Sequence, residues 1–225
     1  LSIRLFYCGF FSVVALFSPS FAFAAPQERG DVLDALPNWG RIITEYNNES
    51  PDYLACSSNP LECPSANMKA WQTLVDKAAV RSPAAQMEEV NVWFNALPYK
   101  QDGWSYGRSD HWASLREFLT HAGDCEDFAI AKYLTLRQLG FPASSMLVVM
   151  VYDVYSGTDH AFLAVDVGGV THILDNREES TDPENFKDRY TPHFAFNEIS
   201  LWTYDTPLMA RSIRKHEPDV LTGNR

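Results

Sequence analysis

His121-Ala122-Gly123-Asp124-Cys125-Glu126-Asp127-Phe128-Ala129-Ile130-Ala131-Lys132-Tyr133-Leu134 encodes the start and body of a helix. A short polar turn stops at Asp124, an apolar periodic run continues to Leu139, and Gly140 with Pro142 closes it. That order is a helix start, a helix body and a helix stop. Asp124 suits the N-cap, because its carboxylate accepts from the orphan N–H groups of the first turn. Cys125 then takes the first helical position, where the positive end of the helix favours a thiolate.

Downstream the period changes. Ser145 to Tyr155, rich in Val, Met and Tyr, reads as a strand; His160 to Val167 is a second and Val170 to Asn176 a third. Gly168-Gly169 separates the last two by two residues, a tight-hairpin signal. With those glycines as the loop, 167 faces 170, 162 faces 175 and 160 faces 177. Side chains alternate along a strand, so His160, Phe162, Ala164 and Asp166 share a face with Thr171, Ile173 and Asp175. His160 and Asp175 become diagonal neighbours, roughly 7–8 Å apart before their side chains reach toward each other. His172 points to the opposite face. Asp182 to Pro192 reads as loop, and Phe194–Asn197 and Ile199–Tyr204 as further strands.

Upstream, residues 25–37 form a polar lead-in. Trp39 to Tyr46 predicts a short helix capped by Asn38, and Asn47 to Pro64 a loop dense in Asn, Ser, Pro and Cys. Ser65–Val80 and Ala84–Ala96 carry apolar residues at helical spacing. Tyr99 to His111 reads as an ordered loop, and Trp112 to Leu119 as a short amphipathic segment. Trp104, Tyr106 and Trp112 are candidates for a substrate groove; anchoring of the loop into the core is the equal alternative. Helices first and antiparallel strands after predict an α+β fold, with helices packed on an antiparallel sheet.

The 225 residues suit one domain. Residues 1–24 read as a signal peptide: Arg4, an apolar run from Leu5 to Phe17, then Ala22-Phe23-Ala24 before the cut. A single domain is expected over 25–210, with a helical part at 38–97 and a core at 98–204, and a flexible tail at 211–225. The product is expected to be exported and soluble. The formal net charge is −11 and becomes one unit more negative without Arg4; that balance argues against a nucleic-acid partner. Of four cysteines, Cys8 falls in the signal. Cys56 and Cys63 are candidates for a disulfide in an oxidising compartment, or for half of a zinc site. Cys125 is then the odd thiol.

A sulfur nucleophile at a helix start needs an imidazole to take its proton and an acceptor to orient that imidazole. Among six histidines, strand geometry selects His160 with Asp175. Papain-like enzymes use the same constellation, a nucleophile on a helix with its base on a strand. The N–H of Cys125 is one candidate oxyanion donor, with Tyr106 or Trp104 as candidates for the second. Asp124, Glu126 and Asp127 read either as ordinary dipole-favouring residues or as ligands of a divalent cation. Negative charge beside a thiolate raises its pKa, and carboxylate oxygens suit Ca²⁺; the 102–110 and 153–159 loops are candidates to add further oxygens.

Gly123-Asp124-Cys125-Glu126-Asp127-Phe128-Ala129, followed by Lys132-Tyr133, resembles the bacterial transglutaminase-like cysteine peptidases, over roughly Ser82 to Tyr204. The resemblance implies a papain/transglutaminase-like core. It makes Cys125 the nucleophile, His160 the base and Asp175 the orienting acid, with Asp124, Glu126 and Asp127 as calcium-binding acids. It further implies a periplasmic, calcium-requiring endopeptidase that clips the N-terminal region of a large surface adhesin beside a di-alanine site, releasing the adhesin and dispersing the biofilm. The periplasmic domain of an inner-membrane cyclic di-GMP receptor is the implied inhibitor. A transglutaminase, deamidase or peptidoglycan amidase on the same core, and a non-catalytic calcium-stiffened binding module, are the rival expectations.

Overall fold

The computed structural model describes residues 27–29, 32–59, 61, 63, 65–186 and 188–204. The expected signal peptide, the tail and its His216 lie outside them. In chain order the elements are β1 (Gln27–Arg29), α1 (Val32–Ala35), α2 (Pro37–Ser58), α3 (Ala66–Ala78), α4 (Pro83–Asn95), α5 (Asp102–Ser105), α6 (Leu115–His121), α7 (Cys125–Gln138), β2 (Met146–Asp153), β3 (Thr158–Val167), β4 (Val170–Leu174), β5 (Tyr190–Phe196) and β6 (Leu201–Thr203). Short 3₁₀ turns at Ala143–Ser145 and Pro183–Phe186 join them. The strands form one antiparallel sheet in the order β1-β6-β5-β2-β3-β4. Among the described residues, no helix is long and apolar enough to cross a membrane.

Helix α7 sits between the other helices and strands β2 and β3. It is buried nearly all round, from Glu126 to Leu136, as a helix enclosed on every side must be. Aromatic rings join the helical part to the sheet. Trp39 meets Tyr133 and Phe196 edge-on at 5.3 and 5.2 Å, and its indole donates to the Asn197 carbonyl. Trp71 donates to Thr135 on α7. Helix starts follow local chemistry. The hydroxyls of Ser65 and Ser82 accept from Met68 and Ala85 N–H, and Ser114 forms a reciprocal capping box with Glu117.

The hairpin has the register that its glycines predict. Val167 faces Val170, Val165 faces His172 and Leu163 faces Leu174; both glycines take positive φ, 64° and 82°, which only glycine adopts without strain. Strand β4 stops at Leu174 while β3 runs on to Thr158. The outer edge of β3 is therefore left free of β4 just where His160 lies.

Two expectations are corrected. Over Asn47–Ser58 the expected loop is helix instead: α2 continues through Pro51 to Ser58. Its polar residues have partners that sequence does not display. Glu49 accepts from the Tyr53 hydroxyl and pairs with Arg116, which also binds Asp52, while Tyr53 and Cys56 face the core beside Trp71. The described residues of the polar lead-in form β1, paired with β6, and α1. The 182–192 loop holds a 3₁₀ turn and the start of β5.

Cys56 and Cys63 are bonded as a disulfide, so the zinc alternative falls. The bond closes the chain from the end of α2 to the segment before α3. Replacing Cys63 with serine is expected to lower stability by about 2 kcal/mol, the loop-entropy value for so short a ring. Urea unfolding of the two proteins checks it, with equal midpoints as the contrary result.

Candidate active site

Four features converge at the start of α7. Asp124 occupies the N-cap and Cys125 the first helical position. Ala122, just before them, has φ 61° and ψ −173°, a region that costs a non-glycine residue about 1–3 kcal/mol. Its carbonyl is held by the Tyr106 hydroxyl at 2.9 Å. At Gly123 a Cβ would lie 2.0 Å from Asp127 Oδ2, so a side chain there would displace Asp127. The Asp127 carboxylate ties this turn to the loop before α6: Oδ1 accepts from Ala113 N–H at 2.6 Å, and Oδ2 accepts from Asp124 N–H at 3.2 Å.

The Cys125 side chain is half-buried. Its Sγ lies 3.2 Å from Glu126 Oε2 and accepts from the backbone N–H of Ala161. That N–H lies on the edge of β3 that β4 leaves uncovered. Burial, then the charges of Glu126 and Asp124, push the thiol well above its ordinary pKa, against the pull of the Ala161 N–H.

His160, the residue before Ala161, is buried. Its Nε2 lies 2.9 and 3.1 Å from the two Asp175 oxygens. Asp175, also buried, accepts from the Tyr190 hydroxyl at 2.5 Å and from Arg177 N–H at 2.9 Å. Burial pulls its carboxyl pKa up, but the bonds from His160 and then Tyr190 and Arg177 outweigh that, and the net direction is down. An ionised carboxylate only accepts, so the proton of the neutral ring belongs on Nε2. Nδ1 then carries the lone pair, and it has no hydrogen-bond partner among the described residues.

Acidic groups crowd the other side of the thiol. Carboxylate oxygens of Asp102, Asp110 and Glu126 lie within 4.8 Å of one another, as do those of Asp102, Asp124 and Asp127. Burial first, then neighbouring charge, raises the pKa values of Asp102, Asp124, Glu126 and Asp127. Asp102 Oδ1 and Asp124 Oδ1 are buried without a hydrogen-bond partner among the described residues. An all-oxygen cluster with orphaned acceptors fits a hard cation such as Ca²⁺. The 102–110 loop joins this cluster as expected. The 153–159 loop does not contribute Asp153, whose carboxylate is taken by Arg177 at 2.8 Å and Arg189 at 3.0 Å.

The groove candidates separate. Trp104 is 87% exposed. Tyr106 commits its hydroxyl to Ala122 and so is not free to serve an oxyanion. Trp112 is 1% exposed and stacks on Phe196 at 5.2 Å; it belongs to the core, because its ring fills the space between the loop before α6 and β5. Sequence reading missed Tyr99, whose half-exposed ring stacks on Phe128. Burial, then the nearby Cys125 and Asp124, raise the pKa of its hydroxyl. Tyr190 was missed too, since nothing in the 182–192 stretch marks it as a partner of Asp175. His172 turns away from Asp175 toward Thr181.

A family model described as bacterial transglutaminase-like cysteine proteinase matches residues 50–196. Among solved structures, the calcium-bound form of Legionella pneumophila LapG is 27% identical, with a TM-score of 0.56 over 67% of this chain and 90% of that one. The EGTA-treated form of the same protein is 29% identical, with a TM-score of 0.56 over 66% and 83%. No curated protein sequence matches the chain.

Replacing Gly123 with alanine is expected to destabilise the fold by about 2 kcal/mol, because the new methyl group overpacks Asp127. Chemical denaturation measures this, and an unchanged midpoint would show that the turn can relax.

Proposed function

The chain belongs to the bacterial transglutaminase-like cysteine proteinases, and from that membership we propose a calcium-dependent cysteine endopeptidase of the periplasm that cuts the N-terminal region of a large surface adhesin. The observation that carries the reading is the buried His160–Asp175 pair beside the Cys125 thiol, whose sulfur accepts from the very next residue of the His160 strand. In this reading Cys125 is the nucleophile, His160 the general base and acid, and Asp175 the group that fixes the ring.

His160 takes the thiol proton on Nδ1. The sulfur attacks the scissile carbonyl, and the oxyanion is met by the Cys125 N–H at the helix start. His160 returns the proton to the departing amine as the C–N bond breaks, leaving a thioester. It then accepts a proton from water, whose oxygen attacks the thioester and releases the acid and the thiol. Asp175 stays ionised throughout and stabilises the imidazolium.

Asp124, Glu126 and Asp127, with Asp102 and Asp110, would hold the calcium ion. When bound, the ion supplies positive charge that offsets the carboxylates raising the thiol pKa. The similarity to a calcium-bound form of Legionella LapG and the orphaned Asp102 and Asp124 oxygens support that assignment. Adhesin cleavage beside a di-alanine site, periplasmic address and sequestration by a cyclic di-GMP receptor's periplasmic domain come from the family resemblance.

Incubation of the mature protein with N-terminal adhesin fragments is expected to give cleavage that Cys125→Ala abolishes without changing the circular dichroism spectrum. Wild-type cutting by that variant would refute the mechanism. A labelled amine added to the same reaction distinguishes transfer from hydrolysis; an amine adduct as the main product would replace the protease reading with a transglutaminase.

Calcium has a second readout. The four clustered carboxyls have folded pKa values raised above their unfolded values near 4. Such groups favour the ion-free fold below about pH 4, and that contribution is lost as pH rises through the folded values. Calcium binds the ionised groups. The rise in melting temperature on adding Ca²⁺ is therefore expected to be larger at pH 8 than at pH 5. A shift that is absent, or larger at pH 5, would remove the site.

A further inference from the structure

Lys132 lies on α7, about two turns beyond Cys125, and is completely buried. Among the described residues no carboxylate is within ion-pair distance of it. Its ammonium donates instead to two neutral acceptors on α4, Asn91 Oδ1 and Asn95 Oδ1, each at 2.7 Å. Burying an ammonium without a bonded counter-charge is costly, and burial pulls this one down to about 7, opposed by the charge of Asp175. The Lys132 side chain has no part in the proposed reaction steps.

The two asparagines explain what the lysine holds. With a cation on each Oδ1, the amide NH₂ groups must face the other way. There Asn95 donates to the carbonyls of Asp175 at 2.9 Å and Glu178 at 3.0 Å. Asn91 donates to the carbonyls of Glu178 at 2.9 Å and Glu179 at 3.1 Å. These carbonyls need such help. The β3–β4 pairing ends at Leu163–Leu174, so Asp175 stands one residue past the last rung and its carbonyl has no ladder partner.

We propose that Lys132 is a positioning residue for the His160–Asp175 pair: acting through Asn91 and Asn95, it holds the 175–179 segment so that the Asp175 carboxylate stays on His160 Nε2. The inference rests on the protease reading for the roles of His160 and Asp175, and none of its bonds involves the clustered acids of the calcium site. The lysine does not touch the reacting atoms. Its effect belongs on turnover rather than on substrate affinity, because a displaced Asp175 frees the imidazole to rotate or change tautomer.

The test uses the mature, calcium-loaded protein and adhesin fragments as substrate. Lys132→Met keeps an unbranched stem and removes every donor; Asn95→Leu cuts the link while leaving the lysine. Each is expected to lower kcat by about tenfold or more with KM changed by less than about twofold. The double variant should fall no further than the worse single one, because both break one chain of bonds. A second readout needs no substrate: the Nε2–H proton resonance of His160 should move upfield in both single variants as the bond to Asp175 lengthens. Wild-type kcat and an unmoved resonance in Asn95→Leu would overturn the inference, as would a Lys132→Met variant that melts lower but keeps both. Multiplying losses in the double variant would overturn it too. A wild-type protein that cuts nothing would instead refute the protease reading, and the resonance would still decide the role of Lys132.

Discussion

Like charge in a dry place is the constraint to which the rest of the site answers. Carboxylates of Asp102, Asp110, Asp124, Glu126 and Asp127 converge at the start of α7. Two such charges about 4 Å apart repel by about 4 kcal/mol at the dielectric typical of a protein surface. The N-terminal end of one helix offsets only part of that. The chain holds the cluster with rigid geometry: backbone N–H groups of His111, Ala113 and Asp124 bond the acids, Gly123 leaves room for Asp127, and Ala122 accepts a costly backbone conformation. A cation among these oxygens would relieve that repulsion.

The thiol stands between two opposed fields. On one side, burial and the acids keep its proton on. On the other, Asp175 is itself kept ionised by three donors, His160, Tyr190 and Arg177, and a carboxylate on Nε2 puts the lone pair of the neutral imidazole on Nδ1. The two halves belong to different parts of the chain. The acids ride on the helical part and its loops; the imidazole and its acceptor ride on the sheet. The Ala161 N–H is the bond that the sheet makes to the sulfur itself, and it is available because β4 is shorter than β3.

What the sequence disclosed follows from the range of the forces involved. The hairpin register came from two glycines and the twofold alternation of side chains, both local rules, and it placed His160 beside Asp175 from the far side of a turn. The start of α7 was equally local: a capping residue, a glycine before it, an apolar run after it. The continuation of α2 was hidden because its Asn, Glu, Ser and Pro look like a loop until Arg116, more than sixty residues away, is seen to bind Glu49 and Asp52. Trp112 was hidden for a related reason. An aromatic residue in a polar loop can face a ligand or the core, and the ring of Phe196 that decides the matter is distant in sequence.

Lys132 shows where periodicity loses its power. On a helix with one wet face, a lysine marks that face. Helix α7 has no wet face over most of its length, so a lysine there has to be satisfied inside the protein, and the sequence does not say by what. Asn91 and Asn95 are four residues apart on α4 and therefore share one side of that helix. That spacing lets a single ammonium serve both, and lets both amides reach the segment after β4. Because β4 ends at Leu174, the β3 edge is open to Cys125 at Ala161, and Asp175 lies beyond the last rung of the ladder. Polar side chains inside the core, rather than backbone rungs, then have to fix it in place.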